Sequence, residues 1–78
     1  RKIYNRYEKV EKLIEENDLK IDKLTKECED PKIASDYVKL TELTNSIEEI
    51  RTQQDELMAE WEELQIQIDE YESIEKAD

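Results

Sequence analysis

The chain has 78 residues, 45% of them charged, and a net charge of −11. It contains no Gly, so it has no phosphate-cradling loop; no His, the commonest acid–base residue and metal ligand; and one Cys, so it has neither an internal disulfide nor a multi-cysteine zinc site. These absences weigh against an enzyme, and the length bounds the chain to one domain.

No apolar run is longer than Leu57-Met58-Ala59, so the sequence shows neither a membrane span nor a signal peptide. An unpaired Cys28 and the lack of an export signal give a cytoplasmic expectation. The chain starts at Arg1 rather than Met, which points to a piece of a larger protein. Charge is unevenly spread. Residues 1–28 carry eight Lys/Arg and seven Asp/Glu, whereas residues 29–78 carry four and sixteen. The two halves are therefore expected to face different surroundings.

In chain order, Ile3, Tyr7, Val10, Ile14, Asn17, Ile21, Leu24 and Cys28 step alternately by four and three. This is a heptad seam with Asn17 as its polar exception, widened by Leu13. It predicts a helix over residues 2–29. Asp30-Pro31 then breaks the pattern, because Pro cannot sit in a helix interior and restricts the residue before it. Asp before Pro also suits an N-cap and first helical position, so one turn over residues 31–34 fits a tip at 30–35. Ser35 or Asp36 can cap the next helix.

The second seam is Leu40, Leu43, Ile47, Ile50, Gln54, Leu57, Trp61, Leu64, Ile68 and Tyr71, with Gln54 as its polar exception. It predicts a helix over residues 36–73 with a frayed end at 74–78. The seam from Leu40 to Tyr71 alone would be about 48 Å long at the α-helical rise. Neither seam can be buried alone. The short connection makes the two arms antiparallel neighbours, giving an all-α fold: a two-stranded coiled-coil hairpin with a short Asp-Pro tip. Each arm finds its partner in the same chain, so a monomer is expected.

Two registers satisfy the seams. If facing residue numbers sum to 71, Asn17 meets Gln54 and Ile3 meets Ile68. If they sum to 64, Arg6 pairs with Glu60, Glu11 with Arg51 and Glu27 with Lys39, but Asn17 faces Ile47, and Ile68 and Tyr71 overhang. Flanking ion pairs contribute about 0.3–0.5 kcal/mol each, whereas an unpaired buried amide costs about 1–3 kcal/mol, which favours 71. Asn17 and Gln54 are then devices that fix register or partner choice.

Cys28-Glu-Asp-Pro-Lys-Ile-Ala-Ser-Asp-Tyr-Val-Lys-Leu40 at the tip, with Glu56-Leu57 and Trp61-Glu-Glu-Leu64 in the second arm, resembles the C-terminal domain of F-type ATP-binding-cassette ATPases, the ABC-F family. The resemblance implies an accessory helical hairpin following tandem ATPase domains in the same chain. It also implies contact with ribosomal RNA, the ribosome or DNA in translation. ATP and Mg would belong to the parent protein; the fragment carries none of the family's ATP-binding motifs and no cofactor of its own.

Lys2, Lys9 and Lys23 share one outer heptad position, and Lys12 and Lys26 the adjacent one; Glu16 and Leu19 interrupt the stripe. With Arg6 nearby, these are the candidate phosphate contacts. The plain alternative is an ordinary solvated coiled-coil face. Trp61, at a seam position, reads as packing rather than base stacking. Tyr4 reads as a seam edge and Cys28 as a small buried hydrophobe. Glu62-Glu63 and Asp69-Glu70 diverge by about 100° on a helix, so they form no acid–base or metal pair. The competing functions are a structural or protein-interaction coiled coil, and the coiled-coil arm of an aminoacyl-tRNA synthetase.

Overall fold

The computed structural model describes the chain from Lys2 to Ala77 and is all-helical there. The order is α1 (Lys2–Glu29), α2 (Pro31–Ala34) and α3 (Tyr37–Ala77). α1 and α3 lie side by side and antiparallel, making a rod of 64 × 15 × 15 Å with the turn at one end.

The turn is built without Gly and without any positive-φ residue among those described. Asp30 is extended at φ −62° and ψ 124°, and its Oδ1 accepts from the Lys32 backbone N–H at 2.9 Å. Pro31 follows at the first helical position, where its missing N–H costs nothing. α2 closes when the Ser35 N–H donates to the Pro31 carbonyl at 3.1 Å. Of the two expected caps for the long helix, Asp36 takes the role: its Oδ1 accepts from the Lys39 N–H at 3.2 Å. The Ser35 hydroxyl instead donates back to the Lys32 carbonyl at 3.3 Å.

α3 continues past the expected end at Ser73 to Ala77. Residues 66–77 hold no Gly or Pro and are rich in helix formers, which sustains the helix. The expected fraying is corrected to that extent; Asp78 lies outside the described residues.

The core is one residue thick. Val10, Ile47, Leu64 and Ile68 are buried along it, and Asn17 is buried among them. Cross-arm contacts fix the register at 71. The Tyr7 hydroxyl donates to Gln65 Oε1 at 2.6 Å, and its ring stacks on Trp61 with centroids 5.6 Å apart. Tyr4 meets Tyr71 edge-on at 6.3 Å. Ile68, which overhangs in the 64 register, is only 6% exposed. The Arg6–Glu60 ion pair forms nonetheless, because flanking positions in the 71 register also bring these residues together. Arg51 turns to Glu48 in its own helix at 3.8 Å rather than to Glu11.

Candidate nucleic-acid interface

Lys2, Lys9, Lys12, Lys23 and Lys26 all lie exposed on α1. Their placement follows from the seam: with Ile3, Tyr7 and Val10 turned inward, the heptad puts these lysines on the far side. A shallow depression is lined by Asn5, Glu8, Lys9 and Lys12, so the last two share one patch of surface. Among the described residues, none of the five lysines makes an ion pair within 4.0 Å. On one side the stripe is bordered by the acidic row Glu8, Glu15, Asp22 and Glu29.

Arg6 is placed differently. Its Nε donates to Glu60 Oε2 at 2.6 Å and its Nη2 to Glu60 Oε1 at 2.7 Å. The Glu60 hydrogen bonds raise the guanidinium further above its already high value, and the same contact holds the Glu60 carboxyl below the ordinary glutamate value. Arg6 therefore serves the joint between the arms, with its fork already filled by a carboxylate. The sequence contained this signal, since Arg6 and Glu60 match as a flanking pair.

The two polar seam residues occupy one layer without bonding each other. Gln54 Nε2 donates to the Ile14 carbonyl at 2.9 Å and to Asp18 Oδ1 at 2.8 Å. Gln54 Oε1 is buried without a hydrogen-bond partner. Asn17 is 7% exposed and lines a groove with Leu13, Lys20, Gln53 and Leu57. Gln54 is long enough to cross the seam and reach backbone, an option that pairing by heptad position alone does not reveal.

Trp61 is half-buried. One face lies against Tyr7, and the residue also lines a groove with Ile14 and Met58. The Tyr7–Trp61–Gln65 cluster was not anticipated; a Tyr and a Gln at facing seam and flank positions were its only signal. Burial, and then the Glu72 and Glu75 carboxylates, push the Tyr4 hydroxyl up; the Glu75 carboxylate, one turn on, pushes Tyr71 up.

Among the described residues no cluster of His, Cys, Asp or Glu could hold a metal ion. No described helix is long and apolar enough to cross a membrane. The grooves named here, whether between the two arms or on the face of one helix, are open furrows without the enclosure that a small-molecule site requires.

The model of the family described as ABC transporter C-terminal domain matches residues 1–65. The chain belongs to this family. The match takes in all of α1, the tip and α3 as far as Gln65, the residue that accepts from Tyr7. The ABC transporter C-terminal domain is therefore seen here as a helical hairpin, the fold its two seams require. No curated protein and no solved structure gave a match.

Proposed function

We propose that this domain is the accessory arm of an ABC-F ATPase and that it contacts nucleic acid, either ribosomal RNA on the ribosome or DNA, through the outer face of α1. The observation that carries this reading is the contrast between the cations. Arg6 is satisfied by Glu60, while the five lysines point to solvent without an ion-pair partner among the described residues. In this reading the ATPase domains, with their ATP and Mg, lie upstream in the same chain, and the protein works in the cytoplasm.

The acidic α3 repels the same phosphates, so binding by the domain alone is weak and salt-sensitive. No side-chain set is arranged to read base edges, so no base specificity is expected. The test is titration of labelled duplex DNA and structured RNA at low and near-physiological salt, with Lys9→Glu, Lys12→Glu and Lys23→Glu combined as the control. Binding that survives the triple change, or that ignores salt, overturns the basic stripe.

A second reading is a protein-contacting arm. It is favoured by Ile66 and Ile74, which are 53% and 68% exposed and line a furrow on α3 with Asp69, Glu70 and Ser73. No binding to nucleic acid even at low salt would decide for it.

A further inference from the structure

We propose that the outer face of α3 docks a basic amphipathic helix of a partner protein, with Ile66 as the apolar anchor. The inference gives the protein-contacting reading a partner of stated chemistry. It is independent of the nucleic-acid reading, which uses α1.

Leu64 and Ile68 are buried against α1, so Ile66, between them, is turned to the opposite side and is 53% exposed. It lines an open furrow on α3 with Asp69, Glu70, Ser73 and Ile74. Read in sevens, the outermost line of α3 is Val38, Asn45, Thr52, Ala59, Ile66 and Ser73. All six are exposed and none carries a charge. The line runs for about 52 Å at the helical rise.

Two acidic rows flank it. Glu42, Glu49, Glu56, Glu63 and Glu70 run along one side, and Glu48, Asp55, Glu62 and Asp69 along the other, all exposed. In sequence the second row opens on Thr41 and closes on Lys76, so both rows are acidic from Glu48 to Glu70. Among the described residues, only Glu48 of these carboxylates has a cation within 4.0 Å, Arg51 of its own helix at 3.8 Å. Glu63 and Asp69 accept from the side-chain amides of Gln67 and Gln65 at 3.2 and 3.1 Å, which leaves their charge uncancelled.

The rows decide the occupant. A polyanion is repelled. A second copy fits badly: α3 against α3 sets carboxylates against carboxylates, and the outer face of α1 carries its own acidic row, Glu8, Glu15, Asp22 and Glu29, beside its lysines. A helix with an apolar stripe and Lys or Arg along both edges lays the stripe on the neutral line and a cation edge on each row. The period matches as well. Each row steps by about 10.5 Å per heptad, and a facing helix repeats at that interval, whereas cations on one face of an extended strand recur at about 6.8 Å and fall out of step.

The probe is a fluorescein-labelled synthetic peptide of four heptads, with Leu along one stripe and Lys along both edges; the control peptide has the same composition in scrambled order. Anisotropy titration of both with the chain at near-physiological salt reads the outcome, and circular dichroism checks that each variant folds. The patterned peptide should bind on the order of tenfold tighter than the scrambled one. Ile66→Gln leaves every carboxylate in place and should weaken the patterned peptide by about tenfold. Glu49→Gln, Glu56→Gln and Glu62→Gln combined should weaken it by a similar factor, whereas Lys9→Glu, Lys12→Glu and Lys23→Glu combined should not weaken it. No binding, equal affinity for the two peptides, or a folded Ile66→Gln chain that binds as the wild type does overturns the inference. So does dimerisation of the chain that Ile66→Gln abolishes, which assigns the face to a second copy. None of these outcomes bears on the titration with DNA and RNA, so the two readings fail separately.

Discussion

Arg6 and Glu60 sit at flanking positions on opposite arms and are joined by two hydrogen bonds of 2.6 and 2.7 Å. The fork of a guanidinium matches a carboxylate only in one alignment, so the pair favours one setting of the arms. Both side chains are more than a third exposed, so the contribution to stability is small. Arg6→Ala should lower the melting temperature by a few degrees at most.

The pH dependence of that contribution has a definite sign. The folded chain holds the Glu60 carboxyl below its unfolded value, so the unfolded chain binds the proton more readily. The stabilisation is present above the ordinary glutamate value of 4.5 and is lost as pH falls through the lowered folded value. Melts of the wild-type chain and Glu60→Gln should therefore converge on acidification. A gap that widens below pH 4.5 would contradict this assignment.

Gln54→Leu should stabilise the hairpin by about 1–2 kcal/mol, since it removes a buried acceptor without a donor and adds apolar burial. The hydrogen bonds it loses go to the Ile14 carbonyl and to an exposed Asp18, which water can serve. Urea melts measure the gain. Sedimentation equilibrium should show the wild-type chain as a monomer at 9.4 kDa and the variant with some self-association, as expected when a polar register device is lost.

Trp61 is the only Trp, so its fluorescence reports on the seam directly. Tyr7→Phe keeps the stack on Trp61 and loses only the bond to Gln65, so it should cost about 0.5–1.5 kcal/mol. Trp61→Ala, followed by circular dichroism, should cost about 2–3 kcal/mol, below the fully buried range because the ring is only half-covered. Comparable losses from the two changes would mean that the stack contributes little.

At the tip, Asp30→Ala removes the acceptor for the Lys32 N–H and should cost about 1 kcal/mol. Asp30→Asn keeps an acceptor there and should recover most of it. Equal losses in the two variants would show that the cap is not what holds the turn.

Much of this was legible in the sequence, because a two-stranded coiled coil is specified by period. The steps from Ile3 to Cys28 and from Leu40 to Tyr71 give two helices, and Asp30-Pro31 gives the break. The cost of burying amides pointed to the register that places Asn17 and Gln54 in one layer. What the two amides do there was not legible, because heptad position says which residues share a layer and nothing about reach. Gln54 passes Asn17 and bonds the opposite backbone. Arg6 illustrates a second limit: it fitted both a flanking ion pair and a phosphate contact, and only the geometry with Glu60 chose between them. Trp61, assigned to packing by its position, does pack, but a seam one residue thick cannot enclose an indole.

The rod is 64 Å long and only 15 Å across, with Lys2 and Ala77 at one end and the Asp30–Asp36 turn at the other. Such a shape is a lever. A rigid-body rotation of about 10° at the end where the arms begin and finish would carry the turn through about 11 Å. The lysines of the stripe, set at different distances from that end, would travel by different amounts in the same stroke, Lys23 and Lys26 further than Lys9 and Lys12. A surface anchored elsewhere and held along the stripe would resist the stroke, so its attachment would stop the lever from swinging.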